Sequence, residues 1–168
     1  MSADSETLLT CIPRLRRYAR ALVGDRAAAD DLVQDTLERA WSKFSLWRRG
    51  SDMRAWLFGI MHNLHIDQRR KPRLDTQELD EEAGELASPA SPPDALALRD
   101  LQSALSLLPD EQREVLLLVA LQEMSYEEVA STLGIPVGTV MSRLSRGRER
   151  LRLLMDGRAA SVALKVVK

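Results

Sequence analysis

Apolar residues recur at three- and four-residue steps along most of this chain, and the recurrence fails at only a few places. Leu8, Leu9, Ile12, Leu15, Ala19 and Leu22 keep the helical period and predict a first helix over 6–23, flanked by Arg14, Arg16, Arg17 and Arg20. Pro13 interrupts the pattern and is a candidate start for the regular helix, because proline has no N–H to give to an interior turn. Gly24-Asp25 then ends this element and caps the next. A second helix is expected over 25–44, with Ala29, Leu32, Val33, Leu37, Ala40 and Trp41 as its buried stripe. Asp31, Gln34, Asp35, Glu38 and Arg39 fall on its other side. Residues 44–52 (FSLWRRGSD) read as a loop or broken helix. Asp52 caps a third helix over 53–71, whose apolar side is Trp56, Leu57, Ile60, Met61 and Leu64, with Ile66 at its margin. Arg69, Arg70 and Lys71 suit the negative end of its dipole, and Pro72 stops it.

The period is lost over 73–94. Seven acids (Asp75, Glu78, Asp80, Glu81, Glu82, Glu85, Asp94) stand there after Arg73 without a basic residue, together with Pro89, Pro92 and Pro93. Such a segment buries too little apolar surface to offset its ordering entropy and is expected to be a flexible acidic linker, transiently helical around 77–86. Helical spacing resumes over 95–108 with Leu98, Leu101, Leu105 and Leu108 inside, breaks at Pro109-Asp110, and returns over 111–122 with Val115, Leu116, Leu118 and Val119.

The stretch Ser125–Leu154 then predicts two helices and a tight turn. Ser125 and Glu128 form a capping box, Val129, Ala130 and Leu133 make an apolar face, Gly134 can take the left-handed conformation, and Pro136 fits a first helical turn. Val140, Leu144, Leu151 and Leu154 share or adjoin one side of the second helix, while Arg143, Arg146, Arg150 and Arg152 lie largely away from it. An ordinary helical hairpin with a solvated basic face would share much of this. Small Ala130 at the crossing, Gly134 in the turn and Val140 packing back favour instead a helix-turn-helix, whose second helix enters the DNA major groove. The tail, 158–168, has no clear partner and could fray, dock or extend the last helix. The fold class is all-α: two small helical domains over 1–72 and 95–157, a linker over 73–94, and the tail.

The formal net charge of −1 at first argues against a DNA-binding protein, but the charge is unevenly spread. Between Val137 and Arg152 five arginines face one acid, Glu149, while the linker is acidic. With 45% hydrophobic and 29% charged residues, no apolar run of membrane-spanning length and no signal-peptide core at the N-terminus, a cytoplasmic globular protein is expected. The single cysteine, Cys11, sits in an apolar stretch and reads as a core residue. His62 and His65 are three apart near Asp67, but a metal site needs more ligands, so no metal or cofactor is expected. No phosphate-cradling glycine loop, Ser-His-Asp set or catalytic carboxylate pair is recognisable, so the chain is not expected to be an enzyme. In the 44–52 loop, Phe44 and Trp47 interleave with Arg48 and Arg49, a mixture that suits single-stranded nucleic acid, although the rings could equally plug the small core.

Two motif blocks in order carry a family resemblance. DLVQDTLERAW at Asp31–Trp41 and SDMRAWLFGIMHNLHIDQRRK at Ser51–Lys71 resemble region 2 of bacterial sigma factors. LLPDEQREVLLL at Leu107–Leu118 and MSYEEVASTLGIPVGTVMSRLSRGRERL at Met124–Leu151 resemble region 4. The chain, over about 8–155, is similar to the small extracytoplasmic-function group. The resemblance implies a dissociable subunit that gives RNA polymerase core its promoter choice. It implies docking on the clamp helices of the largest polymerase subunit through Asp31, Gln34, Asp35, Glu38 and Arg39. It implies reading of the opened −10 element by the 44–52 loop and the helix after it, with a base flipped out; Trp47, Arg48, Arg49, Ser51, Arg54 and Asn63 are the candidates. It implies reading of the −35 duplex by Val137, Gly138, Thr139, Met141, Ser142, Arg143, Arg146 and Arg150, the helix N-terminus meeting a phosphate and arginine meeting guanine. An anti-sigma protein covering both domains is a further implied partner, and the acidic linker would mimic nucleic acid in a basic polymerase channel.

The second half departs from that pattern in places. Met141 stands where many relatives carry Lys or Arg, Ser145 where some carry an aromatic, and Gly147 where Ala is usual. Two other classes share part of this pattern. A dimeric helix-turn-helix regulator would need a sensor or receiver domain, and residues 1–72 show no strand pattern. A sigma mimic that binds an anti-sigma protein but no DNA would be expected to lack Arg143 and Arg146.

Overall fold

The computed structural model describes residues 2–70 and 92–166, with side chains described over 2–70 and 94–157. Among the described residues the chain forms α1 (Ala3–Val23), α2 (Arg26–Ser42), a 3-10 turn (Phe44–Leu46), α3 (Met53–Arg70), α4 (Pro92–Ser106), α5 (Asp110–Ala120), α6 (Tyr126–Leu133) and α7 (Val137–Val166), without a strand. The expected all-α architecture is what is found.

Helices α1, α2 and α3 pack on one another, and α4, α5 and α6 gather around α7. The first group buries Leu15, Leu22, Leu32, Leu57 and Met61, with Tyr18 and Phe58 in an edge-to-face contact at 5.0 Å. The second buries Val115, Leu118, Val129 and Val140. Capping follows the sequence closely. Asp25 accepts the Ala28 N–H at 3.1 Å, Ser125 accepts the Glu128 N–H at 3.1 Å, and Gly24 (φ +80°) and Gly134 (φ +67°) end α1 and α6 in the left-handed conformation.

Several expectations change. Pro13 does not start α1; the helix begins at Ala3, capped by Ser2, and runs through the proline. Leu8 on one side of Pro13 and Leu15 and Tyr18 on the other are all buried, and that packing holds the helix together across the missing N–H. Trp41, expected in the core of α2, is 65% exposed, because its ring leaves the helix to stack on Phe44 (centroids 5.8 Å apart). Leu9 and Leu98 are likewise exposed, since each helix buries a narrower stripe than its apolar residues span. The expected linker, with the transient helix expected around 77–86, lies outside the described residues, except that 92–94 belong to the first turn of α4. The tail takes the last of the three expected routes: α7 continues past Asp156-Gly157 to Val166.

The two groups of helices are docked. α1 packs on α4 and α5, and α3 packs on α6, so that the apolar clusters of both halves are continuous. A Cβ placed on Gly59 of α3 would lie 3.6 Å from the Thr132 carbonyl of α6, ordinary contact between closely apposed helices. Among the described residues α7, by contrast, makes its main contacts with α4, α5 and α6 of its own half.

Candidate nucleic-acid and partner interfaces

The first candidate surface lies on α2. Asp31, Gln34, Asp35, Glu38 and Arg39 stand at steps of three and four residues and are all exposed, opposite the buried stripe Ala29, Leu32, Val33, Thr36 and Ala40. Thr36 is accommodated in that stripe because its hydroxyl donates to the Leu32 carbonyl at 2.7 Å. On the exposed face, among the described residues, a long contact from the Gln68 amide to Asp35, 3.4 Å, ties α2 to α3. The face thus offers three carboxylates, an amide and a guanidinium. Beside it runs an apolar groove of about 540 Å³ between α1 and α2, lined by Leu8, Leu9, Ile12, Leu37 and Trp41.

The second surface is the connection from α2 to α3. Phe44 and Trp47 are partly buried, with centroids 6.1 Å apart, and Trp47 leans on Trp56 of α3 at 6.4 Å. The rings therefore pack on the core edge in a row and hold the loop, while Arg48, Arg49 and Ser51 are exposed on it. Ser51 donates to the Arg48 carbonyl at 2.6 Å, and Arg49 makes only an exposed pair with Asp4 at 3.5 Å, of a kind that contributes little. Asn63 is exposed on α3. Arg54 is separated from this group. It points into the seam between the two halves, where its guanidinium donates to the Gln122 carbonyl at 2.8 Å and lies 3.4 Å from Glu128.

The third surface is the first half of α7. Val140 and Leu144 are buried against α5 and α6, as is Gly147, and this turns Gly138, Met141, Ser142, Arg146 and Arg150 outward. Val137 and Thr139 are half-buried at the helix start, and Arg143 lies 3.6 Å from Glu111 of α5. The expected −35 candidates thus converge on one end and one side of α7, on a face the other half leaves open. A Cβ on Gly147 would lie 3.4 Å from the Gln112 carbonyl and side chain of α5. That distance admits a methyl group, so Gly147→Ala is expected to stabilise the fold by about 0.5–1 kcal/mol through helix propensity, read as a higher urea midpoint; a lowered midpoint would mean that α5 cannot accommodate the methyl.

Sequence reasoning did not find the seam. Gln122, buried between the halves, accepts from Arg54 and directs its side-chain amide toward the Arg14 carbonyl at 3.4 Å. Arg113 reaches the carbonyls of Leu105, Leu108 and, across the seam, Leu22, each within 2.9 Å. His65 contacts Asp110 at 2.9 Å, Arg69 contacts Asp110 at 2.7 Å, and His62 pairs with Glu114. Burial raises the Asp110 carboxyl, but the hydrogen bond and charge of His65, with Arg69 and Arg113, outweigh it and hold the group below the usual carboxylate range. Burial beside Glu114 and Asp110 pushes the Tyr18 phenol well above its ordinary value. Burial also raises the Cys11 thiol, in keeping with a partly packed, unreactive cysteine. Among the described residues no cluster of side chains could hold a metal, and no helix is long and apolar enough to cross a membrane.

A three-helix group with an exposed polar stripe, packed against a helix-turn-helix with an exposed basic face, is an arrangement suited to a DNA-binding transcription protein. Comparison with known proteins makes this specific. Residues 8–62 match the family described as the sigma2 domain of PhyR, and residues 98–151 match sigma-70 region 4. The chain is 38% identical to the ECF RNA polymerase sigma factor EcfG of Rhodopseudomonas palustris, over 89% of this chain and 83% of the relative. It is 33% identical to SigW of Bacillus subtilis over 78% of this chain and 77% of the relative. Among solved structures it is similar to the sigma factor RpoE of Bartonella quintana in complex with the anti-sigma factor NepR (TM-score 0.73, 31% identity, 93% of this chain and 98% of that one). CnrH in complex with the cytosolic domain of CnrY is also similar (TM-score 0.69, 29% identity, 91% of this chain and 87% of that one). The chain belongs to the ECF sigma factors of RNA polymerase.

Proposed function

We propose that this sigma factor docks on the largest-subunit clamp helices of RNA polymerase core through α2, reads a −35 element with α7 and an opened −10 element with the 44–52 loop and α3, and has no catalytic activity of its own. The observation that carries this reading is the separation of three chemically distinct surfaces on one fold. The α2 stripe is mixed acidic and amide, suited to a protein partner. The loop stands Arg48 and Arg49 beside a fixed aromatic row, suited to unpaired bases. The α7 face is basic and turned outward, suited to duplex.

Control by an anti-sigma protein is part of the same proposal. It is supported by the likeness to RpoE bound to NepR and CnrH bound to CnrY, each covering both halves of this chain in one superposition. The site of action is the cytoplasm, where polymerase and promoters are. The match of the first half to the PhyR sigma2 domain favours a second reading, a sigma mimic that sequesters an anti-sigma factor. Arg143, Arg146 and the greater likeness to sigma factors weigh against it: the similar anti-anti-sigma PhyR structure is 19% identical and shares the fold alone.

The docking claim has a direct test. Gln34→Ala with Asp35→Ala is expected to weaken binding to purified core enzyme about five- to thirtyfold, by removing exposed interface groups of about 1–2 kcal/mol combined, while leaving the folded chain's affinity for −35 duplex unchanged. Unaltered core affinity in a binding titration would rule out α2 as the docking face.

A further inference from the structure

We infer that Met141 recognises a thymine methyl group in the −35 duplex, so that a T·A pair at one fixed step belongs to the element this chain selects. The inference rests on the −35 role proposed for α7 and names the base chemistry read there. Gly138, Met141, Ser142 and Ser145 recur at steps of three and four residues and are all exposed, so they form one strip along the first part of α7. Arg146 and Arg150 flank this strip on one side, and Arg148 and Arg152 on the other. The strip carries no charge until Glu149, whose carboxylate is taken by Arg152 at 2.7 Å. Cations on both flanks suit the phosphates along the two rims of a major groove, and the uncharged strip then faces the base edges between them.

Within the strip Met141 is the only large side chain, and it is 53% exposed. A lone exposed methionine is ordinary on a protein surface; the place of this one makes it informative. A long side chain in a helix leans toward the N-terminus, so Met141 covers the turn of Gly138. A Cβ on Gly138 would meet nothing within 4 Å, so no packing inside the chain requires glycine there, and its bare backbone lets base edges come up to Met141. Recognition helices touch base edges through their N-terminal residues, which is where this thioether stands. Met141 also walls a hollow of about 520 Å³ with Tyr126, Leu144 and Ser145, closed at the far end by Arg148 and the Glu149–Arg152 pair. Leu144 is buried and Tyr126 half-buried, so the end of the hollow next to Met141 has apolar walls.

A thioether makes no strong hydrogen bond to the acceptors and amino groups that distinguish most bases in the major groove. The thymine C5-methyl is the apolar feature displayed there. Contact takes both the methyl and the thioether out of water, which favours thymine over the same base without its methyl by about fourfold. The neighbours leave this contact to Met141. Ser142 already donates its hydroxyl to the Thr139 carbonyl at 3.1 Å. Val137 and Thr139, which also carry methyl groups, are half-buried at the helix start and reach less far.

The test uses the full chain with core polymerase on a promoter duplex taken from the transcripts it directs. Each −35 thymine, on both strands in turn, is replaced by deoxyuridine, which lacks only the C5-methyl. Affinity is expected to fall about fourfold at one position. That fall is expected to vanish with Met141→Ser, with circular dichroism confirming the fold of the variant. No fall at any thymine, a fall of the same size in Met141→Ser, or a −35 element without thymine on either strand would overturn the proposal. A duplex with a scrambled −35 element separates this from the reading it rests on. Scrambling that lowers affinity beside a flat deoxyuridine series removes the methyl contact alone; scrambling without effect removes both.

Discussion

Replacing Arg143 and Arg146 together with alanine is expected to reduce transcription from a −35-dependent promoter by about thirtyfold or more while core binding persists. Each bidentate arginine–guanine contact discriminates by about 1–3 kcal/mol, and about 1.4 kcal/mol corresponds to tenfold. Both residues stand on the part of α7 whose main contacts are with its own half. Arg146 is exposed, and Arg143 gives up only a 3.6 Å pair with the exposed Glu111, so the cost to the fold is small. Transcription assays on matched templates with and without the −35 element, beside a core-binding titration, separate the two effects. Equal loss of transcription and of core binding would mean that α7 does not have the role assigned to it.

The largest stability effect is expected at Leu57. Its side chain is wholly buried in α3, among the helices that carry the α2 stripe and the 44–52 loop. Leu57→Ala removes buried methyl groups and leaves a cavity, at about 2–5 kcal/mol. A domain of this size holds only about 5–15 kcal/mol in total, so the loss should be visible as a lower urea midpoint and as weakened core binding through unfolding. A loss under about 1 kcal/mol would show that α3 repacks freely, and the loop geometry described above would then be soft.

The helices were legible in the sequence because each buries one stripe, and a stripe leaves a 3.6-residue period. Caps were legible for a similar reason: Asp25, Ser125, Gly24 and Gly134 act on neighbours within a few residues. The surfaces on α2 and α7 follow from the same periodicity, since what is not buried faces out. Trp41 misled because a ring at a core position can leave it for a neighbouring ring, here Phe44, and periodicity carries no information about that choice. The seam was not legible because its partners are far apart in sequence: His65 and Asp110 by 45 residues, Arg54 and Gln122 by 68. One signal was present. Glu114 stands three and four residues before Leu117 and Leu118, on the buried side of α5, where a carboxylate needs a partner. His62 and His65 read as an incomplete metal pair; their ligand-like spacing instead sets them against two carboxylates one turn apart, Asp110 and Glu114.

The near-neutral total charge fits this arrangement. An isolated helix-turn-helix would need a strongly basic surface to bind DNA by itself. Here the open face of α7 is basic, and the seam carries Asp110, Glu114 and Glu128 against Arg54, Arg69 and the histidines. Polymerase would supply the remaining affinity, and the chain need only add the choice of site.

That claim is tested most directly by adding the purified chain to sigma-free bacterial core polymerase on a library of promoter fragments and mapping the 5′ ends of the transcripts. The account predicts discrete start sites that appear only with the chain present, share a −35 and a −10 sequence, and disappear with the Arg143→Ala, Arg146→Ala variant. A folded chain that binds no core enzyme and yields no start sites beyond those of core alone would contradict it.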